Sequence, residues 1–211
     1  MEKTSLNAVN RYIKRLVICF IIVFGVILIF ALTGCSSRDK KKFWEKYGKD
    51  KAYNKSEHSV LLNAPDTFAY YIDSSVSGNY LTAVKYAISK ANSLTGNVKV
   101  STTTDSGSNF VIKVANMGKN GMNAINEYYF LPDTGEIIES IITLNAYYMK
   151  NFSLDDIKHV ALHEIGHTFG LIDLKNSAVK PYSIMYYRSS SYNFVEYQEF
   201  DVANITWYYG E

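Results

Sequence analysis

The sequence predicts an α+β domain built on a mixed sheet. Two observations carry this. Short β-branched and aromatic runs bounded by turn residues alternate with stretches whose apolar residues recur at helical spacing. Their order along the chain is strand, helix, several strands, helix, loop, helix, which neither an all-helical nor an all-strand core would produce.

The first strand is expected at 68–72, where Phe68, Tyr70, Tyr71 and Ile72 cluster. A helix follows over 80–94, with Leu81, Val84, Ala87, Ile88 and Ala91 on one face; residues 92–97, around Gly96, end it. Runs at 98–102 and 110–114 read as two further strands, and the Gly- and Asn-rich stretch 115–121 as a loop. Strands at 124–131 and 137–144 pair across the turn Pro132-Asp133-Thr134-Gly135. The next helix should begin at Ser153, whose hydroxyl and the Asp156 carboxylate form a serine-x-x-acid cap. Asp155 and Asp156 suit the positive helix start. It should run to about Phe169 and stop at Gly170, which can take the left-handed conformation. A last helix is expected over 195–209.

With 211 residues the chain is long enough for one domain with a sizeable core. Its charge of +2 is unevenly spread: residues 1–34 carry +3, residues 38–51 carry +4, and residues 52–211 carry −5. A mildly acidic globular part speaks against nucleic acid as a partner. The two cysteines are Cys19, inside the apolar N-terminal run, and Cys35, so no disulfide is available to a mature domain.

Arg11, Lys14 and Arg15 precede residues 16–33, which carry no charged side chain. This is the layout of an export signal, and the run is also long enough for an uncleaved membrane anchor. Leu32-Thr33-Gly34-Cys35 resembles the bacterial lipobox, which implies lipidation of Cys35. The expected division is therefore a lipoprotein signal peptide over 1–34, a lipidated Cys35 with a polar basic tether over 35–65, and a folded domain over 66–211. The expected location is the outer face of a bacterial cytoplasmic membrane. Arg38, Lys40, Lys41, Lys42, Lys46, Lys49 and Lys51 either lie on anionic headgroups or form a solvated tether.

The chemistry is concentrated in His163-Glu164-Ile165-Gly166-His167-Thr168-Phe169-Gly170-Leu171-Ile172-Asp173. On a helix, His163 and His167 lie one turn apart on one face, so both imidazoles can take one zinc ion. Glu164 adjoins the first ligand and can reach a water on the metal. Gly170 lets the chain reverse, which allows Asp173 to swing back as a third ligand and leaves a fourth position open. The chain has only four histidines, and two fall at this spacing around a glutamate. His159, a turn earlier, is expected to be an exposed histidine, with a place behind the ligands as the alternative; His58 falls in the tether. The 18 tyrosines read mostly as packing and surface.

This stretch resembles the metzincin zinc peptidases, and specifically matrixin-like bacterial members with a snapalysin-like aspartate as third ligand. Ser183-Ile184-Met185-Tyr186 resembles their Met-turn, with Met185 beneath the metal. The resemblance extends over roughly residues 66–210. It implies a metzincin-type domain with a twisted, mostly parallel mixed sheet, a zinc-binding helix, the Met-turn and a C-terminal helix. It also implies zinc as cofactor on His163, His167 and Asp173, with Glu164 as general base and Tyr187 as a catalytic candidate. Tyr187 stands where some members have a tyrosine that stabilises the oxyanion; the plainer alternative is one more packed tyrosine. Asp173 replaces a histidine usual in the family, and its distance from Met185 is longer than matrixins usually show. Calcium is common in the family, but no acidic cluster here marks a site for it. There is no cysteine-switch segment. The implied activity is hydrolysis of peptide bonds in extracellular or cell-surface proteins or peptides by a monomer. The strand near 122–131 would pair with extended substrate. Alternatives from other classes are a non-catalytic zinc-binding surface lipoprotein and a cell-wall peptide amidase.

Overall fold

The computed structural model describes residues 67–94, 99–187 and 194–209. The expected signal peptide, Cys35 and tether lie outside them. Among the described residues no helix is long and apolar enough to cross a membrane.

The elements are β1 (Thr67–Ile72), α1 (Gly78–Asn92), β2 (Lys99–Thr103), β3 (Phe110–Ala115), β4 (Ala124–Phe130), β5 (Ile137–Asn145), the single turn α2 (Ala146–Met149), α3 (Leu154–Thr168) and α4 (Glu199–Tyr209). This is an α+β fold whose five strands form one mixed, mostly parallel sheet in the order β2-β1-β3-β5-β4. β1 pairs in parallel with β2 and β3, β3 pairs in parallel with β5, and only β4 runs antiparallel, on β5. Among the described residues β4 is thus an edge strand, with a neighbour on one side. The connection from β4 to β5 is the expected turn, closed by Gly135 N–H donating to the Leu131 carbonyl at 2.7 Å, with Gly135 at φ +72°.

α1 forms because Val84, Ala87, Ile88 and Ala91 recur on one buried face. That face packs on α3 and, through its end, on β2. α3 carries its own buried stripe at Ile157, Val160, Ala161, Glu164, Ile165 and Thr168. The sheet contributes Phe68, Tyr70, Ile112, Ile137, Ile142 and Leu144 to the same core. Each fully buried Ile or Leu contributes roughly 1.5–3 kcal/mol. Glu164 and Thr168 are polar residues on a stripe that periodicity alone would fill with aliphatics. Their burial is therefore a cost that the surrounding partners must offset.

Candidate metal centre

α3 starts as its sequence dictates. Ser153 Oγ accepts from the Asp156 N–H at 3.2 Å, and Asp156 Oδ2 accepts from the Ser153 N–H at 3.1 Å, closing both halves of the capping box. The helix ends where Gly170, at φ +80°, turns the chain into the left-handed region. Gly170 N–H donates to the His167 carbonyl at 2.9 Å and Leu171 N–H to the Gly166 carbonyl at 3.1 Å, the paired bonds of a Schellman ending. That reversal brings Asp173 back beside the helix.

The three expected ligands meet. The His163 and His167 rings stand 4.9 Å apart between centroids and nearly perpendicular, at 89°. Asp173 Oδ1 lies 3.2 Å from His163 Nε2 and 3.8 Å from His167 Nε2. One donor atom from each residue falls within 4.8 Å of the others, the spread of a group able to hold a single metal ion. The tautomers suit this use. His163 Nδ1–H donates to the Ile184 carbonyl at 2.9 Å, and His167 Nδ1–H donates to the Leu171 carbonyl at 2.7 Å. A carbonyl only accepts, so Nδ1 carries a proton in each ring and the Nε2 atoms are the ones that face Asp173. Two imidazole nitrogens and a carboxylate oxygen facing one point are a donor set that fits a divalent metal, which would displace the proton shared by His163 Nε2 and Asp173.

The titration behaviour follows from this crowding. Burial depresses His163, but the adjacent Asp173 carboxylate, with Glu164, more than reverses that and lifts it to about 9. Burial and the charge of His163 push His167 down to about 4. Burial of Asp173 works to raise its pKa, and the two imidazoles outweigh it, holding the carboxyl below its usual value. Glu164, only 6% exposed, is raised to about 7, chiefly by burial.

The loop after Asp173 is long, as its length in sequence suggested, and it is held at both ends. Leu174 N–H donates to the Met185 carbonyl at 2.8 Å and Tyr187 N–H to the Leu174 carbonyl at 3.2 Å. A short 3-10 turn, Ser177–Val179, lies between. Met185 is buried against Gly166, one residue before His167: a Cβ built on Gly166 would meet Met185 Sδ at 2.7 Å. Asp201, at the start of α4, secures this turn. Its carboxylate accepts from the Ser183 hydroxyl, from the Ile184 N–H at 2.8 Å and from the Gln198 N–H at 2.9 Å.

His163, Glu164, His167 and Asp173 line a cleft of about 450 Å³. Residues 121–126 and Tyr128 form one wall, and His159, Val160, Tyr186 and Tyr187 line it as well. Tyr187 stands at this cleft, 40% exposed, with its ring edge-on to Tyr186 at 5.3 Å. His159 is not the exposed histidine expected: it is half-buried, lines the cleft, and its Nδ1–H donates to the Phe194 carbonyl at 2.9 Å. The reason is that α3 presents this face to the segment entering α4, which sequence periodicity does not reveal. Two residues went unnoticed in the sequence. Tyr128 lies tilted against the His167 ring at 6.5 Å, and Asn126 donates to the Glu164 carbonyl at 2.9 Å. Both sit on the helix-facing side of a period-two strand; that alternation is the only local signal they carry.

No protein-family model matches the chain, and no curated protein matches it significantly.

Proposed function

We propose that the chain is a zinc-dependent endopeptidase of the metzincin type, acting on peptide bonds of extended substrates outside the cytoplasm. The reading rests on one observation above all: two imidazole Nε2 atoms and one carboxylate oxygen converge in a cleft that Glu164 also lines. His163, His167 and Asp173 would hold the metal, which when bound polarises the scissile carbonyl and acidifies water.

The chain's own residues supply the rest. Glu164, beside the first ligand and bordering the cleft, takes the proton from the attacking water and returns it to the leaving amine. The carbonyls of Ile184 and Leu171 keep both imidazoles in the ligating tautomer. Among the described residues no strand lies beyond β4, whose edge runs along one wall of the cleft, which suits an extended peptide added as a further strand. Tyr187, at the same cleft, is the candidate for steadying the developing oxyanion.

The test is metal analysis with a peptide-library cleavage assay on residues 36–211, with and without chelator. One zinc per chain and chelator-sensitive cleavage are expected. Glu164→Gln should keep the zinc and lose cleavage by at least about 100-fold, the lower end for a general base. Undiminished cleavage by Glu164→Gln, or a chain that binds no zinc, would sink the proposal.

A further inference from the structure

We propose that Asn126 is a positioning residue: its carboxamide ties the open edge strand to the peptide carbonyl of Glu164, and thereby sets how a strand-bound peptide meets the general base. This rests on the hydrolase reading above.

The bond is unusual in what it joins. Asn126 lies in the middle of β4, which among the described residues has a strand neighbour on one side. Its Nδ2 donates to the Glu164 carbonyl at 2.9 Å and to Thr168 Oγ1 at 3.1 Å. A helical carbonyl has a second lone pair beyond the one its own helix uses, and Asn126 occupies it. The other end of the carboxamide is held as firmly: Asn126 Oδ1 accepts from the Ser140 hydroxyl at 2.8 Å. Ser140 Oγ lies 3.1 Å from Thr168 Oγ1, and the Tyr70 hydroxyl shares hydrogen bonds with both. Tyr70, Ser140 and Thr168 have no exposed surface. β1, β4, β5 and α3 thus each contribute one or more members to a single polar cluster.

Aliphatic side chains would fill this volume without the cost of burying hydroxyls and an amide. A fully partnered polar cluster instead selects one relative placement of the elements that contribute to it, because any slip leaves a buried group unpaired. Here the placement selected is that of the substrate-bearing strand against the helix that carries both imidazoles and Glu164. A peptide paired to β4 keeps its strand contacts if the strand shifts, but its scissile carbonyl moves relative to Glu164. A misplacement of about 1 Å costs on the order of 100-fold in rate.

Three variants of the zinc-loaded chain test this: Asn126→Leu and Asn126→Asp, which both lose the donation to Glu164, and Val100→Ala, which loosens the buried face of β2 at the opposite edge of the sheet and leaves the cluster whole. Asn126→Asp keeps the shape and the acceptor for Ser140, and so guards against a folding failure of the leucine variant. Both Asn126 variants should lose at least about tenfold in kcat, with KM within about twofold and zinc content unchanged. Val100→Ala should lower the Tm while keeping kcat. Wild-type kcat in the Asn126 variants overturns the proposal, and so does an equal loss of kcat in Val100→Ala. If the wild type cleaves no peptide, the hydrolase reading falls, and amide hydrogen exchange decides the strand–helix tie. Faster exchange in β4 of Asn126→Leu supports that tie; unchanged protection overturns it.

Discussion

Gly166 is where the helix bearing His163 and His167 and the turn around Met185 touch, and the contact leaves no room for a side chain. Helix propensity alone would favour alanine at this position by about 1 kcal/mol. The methyl group, however, would sit 2.7 Å from Met185 Sδ and 3.3 Å from its Cε, and Met185 is 1% exposed, so the sulfur has little room to withdraw. Overpacking of this kind costs about 1–3 kcal/mol. Gly166→Ala should therefore lower stability despite its better propensity. Met185→Ala should cost less in the Gly166→Ala background than in the wild type, because the added methyl fills part of the space the sulfur leaves. Urea unfolding of the four proteins in a double-mutant cycle reads this coupling, expected at about 1–2 kcal/mol; additive effects would show that the contact does not matter. The two glycines of this stretch differ in how visible they are. Gly170 can be read from sequence because ending a helix is a local demand on φ. Gly166 cannot, because its demand comes from a residue 19 positions later, packed against it only in the fold.

Elements whose ends are set by neighbours in sequence are legible, and those set by distant partners are not. The cap of α3 follows directly from Ser153 and Asp156. The start of α4 does not: the helix begins at Glu199 rather than near 195, because residues 194–197 are held by distant partners, with the Val195 carbonyl accepting from the Tyr86 hydroxyl, the Phe194 carbonyl from His159 and the Tyr197 hydroxyl donating to the Leu162 carbonyl, before the Asp201 carboxylate accepts from the Gln198 N–H. The same carboxylate holds Ile184, whose carbonyl holds His163, so one element's first turn reaches a candidate ligand through two hydrogen bonds. Asp201→Asn, which keeps the shape but turns one acceptor into a donor, should destabilise by about 1–3 kcal/mol and weaken zinc binding by roughly 10- to 100-fold. The pH dependence has a definite sign. Burial raises Asp201 from 3.8 to about 6, so its contribution is largest below pH 4 and is lost as pH rises toward 6. The stability advantage of the wild type over Asp201→Asn should accordingly shrink between about pH 4.5 and 7.5, as measured by urea titration at both. An advantage that grows over that window would mean the three donors outweigh burial.

At the scale of the whole molecule, strand order does what no local pattern announces. The β4–β5 hairpin is legible from its Pro-Asp-Thr-Gly turn, but the parallel pairing of β3 with β5, which leaves β4 at the open edge, comes from long-range packing. That placement brings Asn126 and Tyr128 to the helix bearing His163 and His167, and it explains why a sequence reading reaches the donors and misses their neighbours. The donors themselves belong to one helix and the reversal after it, a span of eleven residues, whereas the Met185 turn and Asp201 that steady them come from later in the chain. A metal at this point would therefore join α3, the reversal and, through Ile184, the Met185 turn and α4. The unfolded chain cannot present these groups together, so the ion should bind the folded state alone and stabilise all of it. At zinc 1,000-fold above its Kd this linkage is about 4 kcal/mol. For a domain of this size it corresponds to a Tm roughly 8–16 °C lower in excess chelator than in zinc. Asp173→Ala, with one of three donors removed, should show a much smaller difference between the two conditions. A wild-type Tm indifferent to chelator, read by scanning calorimetry alongside elemental analysis of the same sample, would mean that the three donors hold no ion that matters to the fold.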